Sequence, residues 1–326
     1  MTLNISPETK IGIFDDFDTA AFRARKPRDW RLDIEGKKSL IMKDSEVVDF
    51  LDTEQCSIAS NGAIYKTDKV GLIPAILDRW FTERVEYKDL RKKFEKEGNE
   101  AQAAYFDQMQ YVTKILLNSM YGVLGMKSFR FFDIDNAEAV TTTGQQLIKA
   151  TSEFGSKFYN DELGTDEEYC IYIDTDSVFF PLLPLINKRY PRIDIEDKAA
   201  MTAASLPIIT EVQSFINNIY DLYAKRVHNV DTHRFDIKQE LISKSGIWIA
   251  KKRYAQWVIN QEGHAVDRLD VKGIDVVRSS FPAAMRTFLA NVLQSILENK
   301  TQFTIDEMIV GFRDEMKRMA VADIAK

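Results

Sequence analysis

Two carboxylates and two hydroxyls lie together in one short segment, Asp174-Thr175-Asp176-Ser177, with apolar residues on both sides. Asp, Thr and Ser favour tight turns, and the flanking apolar runs are typical of buried strands, so the segment predicts the tip of a β-hairpin. Carboxylate oxygens are ligands that Mg²⁺ prefers, and an acidic tip on buried strands needs cations to offset its desolvation. The segment therefore predicts a divalent-metal site that works on phosphates. An ordinary surface turn is the alternative interpretation.

A second string, around Lys114, has a cation, an amide and an aromatic ring at helical spacing. At about 100° per residue, Lys114, Asn118 and Tyr121 share one narrow face of a helix. Arg84 and Lys88 lie four residues apart on the preceding helical stretch and share a face as well. Guanidinium and ammonium groups neutralise phosphate oxygens whose charge grows as pyrophosphate leaves. These side chains predict a triphosphate-binding surface, and a solvated cationic stripe is the alternative.

The elements that must position these side chains follow from hydrophobic periodicity and turn residues. The two helices that carry the cations are separated only by Gly98-Asn99, which predicts an antiparallel pair. The overall pattern predicts a mixed fold of α/β or α+β class. The predicted elements are an irregular α/β stretch at 1–71, helices at 74–97, 100–122, 136–160, 198–227 and 282–326, strands at 168–173 and 178–180, and strands within 235–277 with a turn at Glu262-Gly263.

Length and composition bound the class of protein. The 326 residues exceed one typical domain, and 45% hydrophobic with 29% charged residues is an ordinary soluble composition, so we expect two or three cores. No apolar run approaches the ~20 residues of a membrane span, and the first residues lack the order of a signal peptide. Cys56 and Cys170 have no His or Cys at ligand spacing, so they indicate neither a disulfide framework nor a zinc site. We expect a cytoplasmic protein without membrane contact.

The net charge of −6, taken as a sum, argues against a nucleic-acid partner, because Lys and Arg drive phosphate binding. The basic residues are nevertheless clustered along the chain, at 23–31, 88–96 and 244–253. Local stripes of this kind could hold DNA on a protein that is acidic overall. Each cluster taken alone is as well explained by a solvated face.

At this point the strings resemble those of a known family, the family B DNA polymerases. Residues 114–122 are similar to the family's motif B, and residues 172–177 to its motif C, in the same order and with a similar separation. Arg84 with Lys88 resembles the pair on the family's fingers helix that grips nucleotide phosphates. Residues 4–9 and 61–74, with 137–144, resemble the polymerases of T-even-like bacteriophages.

The resemblance extends to residues expected at the primer-template duplex. Lys251-Lys252-Arg253-Tyr254 is similar to the family's motif at the duplex, and Lys272-Gly273 falls where a further primer-strand contact is expected. The fold implied is a partial right-hand polymerase with a palm sheet, two-helix fingers and part of a helical thumb. The implied domains are the first part of the palm at 1–73, the fingers hairpin at 74–126, the palm with the motif C hairpin and primer-contact strands at 127–277, and a partial thumb at 278–326.

The resemblance also implies roles for individual residues. Asp176 would be the metal ligand for one of two Mg²⁺ ions, with Asp174 a lesser or indirect partner and Glu240 a further carboxylate nearby. Lys114 would also protonate the departing pyrophosphate, so the catalytic group would be Asp176, Asp174 and Lys114. The implied nucleotide-binding residues are Arg84, Lys88, Lys114, Asn118 and Tyr121, and the DNA-binding residues are Lys251, Lys252, Arg253, Tyr254, Lys272 and Gly273.

The sequence departs from the family in its metal ligands. Family B enzymes carry a second aspartate in motif A, Asp-x-x-Ser-Leu-Tyr-Pro-Ser, and the 326 residues contain no such string. The match at 4–9 places that motif just before Met1, and Asp15, Asp16 and Asp18 lack its context. A 3′–5′ exonuclease domain is also missing. We therefore expect the C-terminal part of a split or truncated polymerase with little activity alone.

The expected partners follow from the same resemblance. They are primer-template DNA, dNTPs, and an N-terminal polymerase fragment that brings motif A and the exonuclease. A sliding clamp is expected only through a tail beyond Lys326, and the expected location is the cytoplasm of a phage-infected bacterial host. The alternative function is a non-catalytic DNA-binding or structural subunit derived from a polymerase. An RNA-directed or protein-primed relative is disfavoured by the T-even-like context.

Overall fold

The computed structural model describes residues 1–34, 39–278 and 280–324. The chain divides into two units. Unit 1 consists of Met1–Thr151 with Ile216–Asp236, and unit 2 of Ser152–Phe215 with Ile237–Lys326. Every strand pairing among the described residues is antiparallel. Along the chain, long helices lie between the strands of one sheet and those of the next. The predicted mixed fold is confirmed at this level, as the α+β class.

A five-stranded antiparallel sheet lies in the N-terminal part of unit 1. Its elements are β1 Lys10–Phe14, α1 Thr19–Arg23, β2 Asp29–Ile34, β3 Leu40–Lys43, α2 Asp44–Thr53, β4 Cys56–Ile58 and β5 Ala63–Lys66. The strands follow the order β3-β2-β1-β5-β4. Alternation along β2 buries Trp30 and Leu32 against Phe14 and Phe22. The sequence predicted only an irregular stretch here, because strands of 3 to 6 residues are too short for a clear period.

Two long helices follow in unit 1, α3 Leu72–Lys96 and α4 Glu100–Leu124. The ring of Phe106 lies near Tyr87 and Phe94 across the pair, with centroids 6.2 and 5.6 Å apart. Gly98 has φ +72, a conformation that favours glycine, and the Asn99 side chain accepts a backbone N–H of α4. The predicted helical hairpin is confirmed, including its turn.

The chain then passes between the units twice. The elements are α5 Ile134–Leu163, β6 Tyr172–Asp174, β7 Ser177–Phe179, α6 Leu183–Arg189 and α7 Lys198–His228. The unit boundaries fall within α5 and within α7, so each helix contributes to both units. The helices predicted at 136–160 and 198–227 are confirmed. The predicted strands around the acidic turn are present but only 3 residues long each.

Unit 2 also contains a three-stranded antiparallel sheet followed by helices. The elements are β8 Leu241–Ala250, β9 Arg253–Gln261, β10 His264–Lys272, a 3₁₀ turn Asp275–Val277, α8 Ala283–Leu297, α9 Gln302–Met316 and α10 Val321–Ile324. The predicted turn at Glu262-Gly263 joins β9 to β10 with φ +48 and +86, as a two-residue hairpin requires. Leu293 and Leu297 of α8 pack on Ala255 of β9. The predicted helical C-terminal part is confirmed up to residue 324, and residues 325–326 lie outside the described residues.

Helix α7 is the one described helix whose length and composition would suit a membrane span. Core helices of soluble proteins meet the same criteria, so this property alone is weak support for a span. Ile208, Tyr220 and Ala224 of α7 are buried within the chain's own units. These three side chains pack in the interior of the protein, whereas Leu206 and Leu222 on the same helix are exposed, so α7 is only partly buried.

The last residue of α7, His228, is fully buried in unit 1. Its Nδ1 lies 2.8 Å from the carbonyl oxygen of Ile58. Because a carbonyl oxygen can only accept a hydrogen bond, the proton of the neutral ring is assigned to Nδ1. Nε2 has no hydrogen-bond partner among the described residues. Burial lowers the pKa of His228 from 6.5 to about 4, against the opposing effect of the hydrogen bond to Ile58. A protonated ring is therefore disfavoured in the folded state.

This histidine predicts a loss of stability in acid. Between pH 6.5 and about 4 the unfolded chain binds a proton at His228 that the folded chain does not, so the free energy of unfolding falls as the pH falls. From about pH 7.5 to about pH 5 the contribution of this group is about 2 kcal/mol. Urea unfolding at the two pH values should show that the free energy of unfolding of His228→Asn falls by about 2 kcal/mol less than that of the unchanged protein. The exposed His264→Asn is the control, and equal losses in all three proteins would contradict the assignment.

Candidate active site

Three of the predicted nucleotide-binding residues lie on α4, where they share one face. Lys114, Asn118 and Tyr121 are all exposed, and the helix is uninterrupted across them. The predicted common face is therefore confirmed. Ile115 and Leu116 beside it are also exposed, by 47% and 42%, so the polar face is bordered by apolar side chains that reach solvent. A planar apolar group of a ligand would pack on Ile115 and Leu116 while a charged group of the same ligand lies beside Lys114.

The other two predicted phosphate-binding residues lie on α3. Lys88 is exposed, whereas Arg84 is half-buried on the helix. The Nε atom of Arg84 is buried and has no hydrogen-bond acceptor among the described residues. A buried guanidinium donor without an acceptor is unfavourable, and an anionic ligand would satisfy it. Arg84 is thus the side chain of this pair whose environment most favours an anion.

The acidic turn has an unusual backbone. Asp174 and Ser177 pair across the ends of β6 and β7, so Thr175 and Asp176 form a two-residue turn. Thr175 has φ +55, a strained conformation for a β-branched residue. The Asp176 N–H donates to the Asp174 carbonyl oxygen at 2.6 Å, and the Ser177 hydroxyl donates to the same oxygen at 3.1 Å. The turn holds Asp176 exposed at its tip.

The prediction that both arms of this hairpin are buried is wrong. The residues of β6 and β7 are only partly buried, and Ile171 just before them is 51% exposed. Among the described residues the two strands pair only with each other, as a separate two-stranded sheet. The desolvation argument for a metal at the tip is weaker than the sequence indicated, because solvent reaches both arms.

The acidic hairpin is held in unit 2 by a cluster of aromatic side chains. Tyr172 and Phe179 on the hairpin lie against Tyr254, with ring centroids 5.6 Å apart in each case. Trp248 of β8 joins the cluster at 5.6 Å from Phe179 and 6.4 Å from Tyr254. The Tyr172 hydroxyl also accepts the backbone N–H of Lys252 at 2.6 Å. The structure therefore brings together two segments predicted separately, the acidic turn and the basic duplex motif.

The basic motif itself forms the turn between β8 and β9. Lys251 and Lys252 occupy the turn, both exposed, and Lys252 has φ +60. Gly273 has φ +64 and lies so close that a Cβ added there would be 2.0 Å from the Lys252 carbonyl oxygen. Only glycine fits this approach, which explains why the predicted Lys272-Gly273 contact and the basic turn occur together. Arg253 pairs with Asp275 at 3.3 Å.

Three carboxylates lie within electrostatic range of Tyr254. Burial raises the pKa of Tyr254, and the charges of Asp270, Asp174 and Glu240 raise it further. The predicted carboxylates Asp174 and Glu240 therefore lie within electrostatic range of one tyrosine. Asp270 was missed by sequence reasoning, although an acid opposite Gln256 in a strand-forming stretch was an available signal. It forms a salt bridge with Lys272 at 3.5 Å, so it orients one predicted DNA-binding cation.

The donors at the acidic turn are of the kind that Mg²⁺ binds. Mg²⁺ uses one or two protein carboxylates and completes its shell with water and substrate phosphates. The Asp176 carboxylate is exposed, and the Asp174 carboxylate accepts a hydrogen bond from the Thr175 hydroxyl at 3.2 Å. Within the described residues, no group of three or more His, Cys, Asp or Glu side chains could hold a metal. Asp174 and Asp176 therefore suit a metal site whose remaining ligands come from a substrate or from a further carboxylate.

Comparison with known proteins decides the family. The family model of DNA polymerase family B matches residues 28–189 and 208–325. This chain belongs to DNA polymerase family B. The roles of the individual residues stay predictions.

Relatives with curated names lie in phages and in cellular organisms. The DNA-directed DNA polymerases of Escherichia phage RB69 and Enterobacteria phage T4 are 30% and 28% identical over 202 and 223 residues, 57% and 65% of this chain. DNA polymerase 1 of Pyrococcus abyssi is 24% identical over 321 residues, 97% of this chain. These matches cover only 22%, 25% and 34% of the respective relatives. The chain thus spans about a third or less of the polymerases that it resembles.

The close approach at Gly273 gives a stability prediction. In Gly273→Ala the new Cβ would collide with the Lys252 carbonyl oxygen and would also occupy a left-handed conformation, so we expect a loss of about 2–4 kcal/mol in the free energy of unfolding. Gly263→Ala is the matched control, because Gly263 has φ +86 but a Cβ added there would have no atom of the described residues within 4 Å apart from its chain neighbours. It should cost only about 1–2 kcal/mol. Urea denaturation measures both, and equal losses would contradict the proposed contact.

Proposed function

We propose that this chain forms the C-terminal portion of the catalytic core of a template-directed DNA polymerase, which transfers nucleotides from dNTPs to a primer 3′-hydroxyl. The observation that carries the proposal is the contact between the acidic hairpin and the basic turn, made by the Tyr172 hydroxyl with the Lys252 N–H. It sets carboxylates suited to a metal beside cations suited to a phosphate backbone. Both groups are required where a primer end meets a nucleotide.

On the nucleotide side, the hairpin α3–α4 binds the triphosphate. The buried Nε donor of Arg84 has no acceptor in the described part of the chain, and a phosphate oxygen satisfies it. Lys88 and Lys114 add exposed ammonium charges, and the Asn118 amide completes the polar face. Tyr121, 44% exposed, contacts the nascent base pair. Lys114 Nζ also carries the proton that the departing pyrophosphate takes up.

On the primer side, residues of unit 2 bind the duplex. Lys251 and Lys252 are exposed at the β8–β9 turn and contact primer phosphates. Gly273 lets the backbone after β10 lie against this turn, and Lys272 extends the same surface. The ring of Tyr254 packs against Tyr172, whose hydroxyl accepts the Lys252 N–H, so Tyr254 helps to hold the turn in place. The primer terminus is thereby directed toward the acidic turn.

Asp176 would hold magnesium at the tip of the turn, and Asp174 acts indirectly because its carboxylate already accepts the Thr175 hydroxyl. Two Mg²⁺ ions, when bound, supply activation of the primer hydroxyl and charge stabilisation at the leaving oxygen. A second chain or segment with motif A supplies the remaining aspartate, since the 326 residues lack that string. Glu240, within electrostatic range of Tyr254, adds negative charge to this region.

The biological setting is proposed from the phage relatives. We infer phage DNA replication in the cytoplasm of an infected bacterium, in a complex with an N-terminal fragment that carries motif A and the exonuclease. The domain roles are proposed accordingly, with fingers at 74–126, palm at 1–73 and 127–277, and a partial thumb at 278–326. A sliding clamp stays a prediction of the resemblance alone.

Catalysis is tested by reconstitution. Mixed with an N-terminal family B fragment, primer-template, dNTPs and Mg²⁺, the chain should extend the primer, and Asp176→Ala should lower the rate about 10³-fold, because a lost metal ligand removes several kcal/mol of transition-state stabilisation. Asp166→Ala, at an exposed acid of the same unit, is the control and should extend normally. Duplex binding without any extension would support the alternative, a non-catalytic DNA-binding subunit.

The two binding surfaces can be separated by equilibrium measurements. Lys114→Ala should weaken dNTP binding about tenfold and leave primer-template affinity unchanged, because it removes one charge-assisted phosphate contact. Lys252→Ala should instead weaken primer-template binding and reduce the slope of log affinity against log salt by about 1, since one phosphate contact is lost. Fluorescence anisotropy across a salt series measures both. If both variants affect both ligands equally, the division of roles is wrong.

A further inference from the structure

The segment Asn4–Lys10, called the bracket below, contacts the first turn of α3. The first backbone N–H groups of a helix have no partner within the helix and need acceptors from elsewhere. Here the bracket supplies three such acceptors. The contacts are the Gly71 N–H to Asn4 Oδ1 at 2.8 Å, the Leu72 N–H to Glu8 Oε1, and the Ile73 N–H to Ser6 Oγ at 3.4 Å.

The bracket is itself held by polar contacts that are buried or partly buried, with Glu8 as its exposed member. Asn4, Ser6 and Thr9 are all at least nine-tenths buried. The Asn4 amide donates to the carbonyl oxygens of Lys66 and Lys69 at 2.6 and 2.7 Å. The Ser6 hydroxyl donates to the Glu8 carboxylate at 2.6 Å, and the Thr9 hydroxyl donates to the Asn4 carbonyl oxygen at 2.6 Å. Satisfied buried polar networks of this kind specify a unique geometry.

The residue before α3 leaves no room between the helix and the bracket. A Cβ added to Gly71 would lie 2.7 Å from Ser6 Cβ and 3.1 Å from Thr9 Cγ2. The start of α3 is therefore in direct contact with the bracket as well as hydrogen-bonded to it. A sideways shift of the helix would break the capping bonds or cause a collision.

The last residue of the bracket, Lys10, holds the other end of the hairpin. Its ammonium group donates to Asp133 at 3.0 Å and to Asp135 at 2.6 Å, and all three side chains are at least half-buried. The Asp133 N–H in turn donates to the carbonyl oxygen of Leu124, the last residue of α4. Leu124 packs against Ile73 in the core at the base of the two helices. The seven residues of the bracket thus contact the start of α3 directly and reach the end of α4 through Asp133.

We propose that the bracket is a positioning element that couples both ends of the α3–α4 hairpin and so sets where its phosphate-binding side chains lie. Arg84 is twelve residues beyond Leu72, which is about 18 Å along the helix. A tilt of about 5° at the base therefore moves Arg84 by about 1.5 Å, enough to impair catalysis severely. The effect on nucleotides rests on the proposed function, whereas the coupling of the two ends does not.

Hydrogen exchange in the full chain tests the coupling. Glu8→Ala should raise amide exchange at 72–75 about five- to tenfold, because a capping acceptor is lost. Lys10→Met breaks only the contacts at the far end, yet it should also raise exchange at 72–75, by at least about twofold, as well as at 120–136. Glu86→Ala, at an exposed position on α3, is the control and should change neither region. If Lys10→Met changes exchange only at 120–136, the coupling is absent and the proposal is overturned.

Nucleotide affinity tests the positioning role. With primer-template bound, Glu8→Ala and Lys10→Met should each weaken dATP binding about threefold or more, while affinity for the duplex stays within about twofold. Glu8→Gln and Lys10→Arg keep an acceptor or a cation, so they should restore dATP binding. A merely structural loss would lower both affinities and would not be rescued.

The possible results distinguish this inference from the proposed function. If the unchanged chain binds no dATP even when assembled with the N-terminal fragment and primer-template, the proposed function fails, and the exchange measurements still decide whether the bracket couples the two ends. If exchange at 72–75 responds to Lys10→Met but dATP affinity stays constant in every variant, the bracket is structural only and its positioning role is overturned.

Discussion

The acidic turn is held in place by aromatic packing, of Tyr172 and Phe179 against Tyr254 and of Tyr169 and Phe180 against Tyr159. The hairpin that carries Asp174 and Asp176 is a separate two-stranded sheet, and a sheet of that size is marginally stable by itself. Aromatic packing and the hydrogen bond from the Lys252 N–H supply the missing support. The carboxylates can stay accessible to a ligand because apolar contacts farther along the arms fix their backbone.

The helical hairpin α3–α4 also carries exposed polar side chains, and different contacts hold it in place. Its polar side chains reach solvent along most of its length, so its fixed points lie at the base. Buried Ile73 and Leu124 pack there, and Lys10 is bound to two carboxylates. In both units, exposed charged groups are carried by an element whose anchoring contacts lie away from the charges. This separation avoids the desolvation cost of buried charge while it preserves a defined geometry.

The sequence was sufficient for the long elements and for the family. Helices of 25 to 31 residues, such as α3 and α7, have many periods, and the Gly98-Asn99 turn has its own signal. The short strands of unit 1 and the half-burial of the acidic hairpin were not predictable, because both depend on which partners cover each face. The contact of Tyr172 with Lys252 joins residues 80 apart in sequence, which no local pattern can show. The capping role of Glu8 is likewise visible only once Leu72 is placed beside it.

Backbone strain at the two turns supports a functional interpretation of this region. Thr175 and Lys252 both have positive φ, and each such residue costs about 1–2 kcal/mol relative to an ordinary conformation. Five ring pairs among the aromatic residues around them contribute about 0.5–1.5 kcal/mol each before allowance for non-additivity, which is enough to offset the strain. A turn with no role beyond its own stability would gain from glycine or asparagine at these positions. At both turns the strained residue lies at a group that the proposed site uses, since Thr175 precedes the exposed Asp176 and Lys252 carries an ammonium group itself.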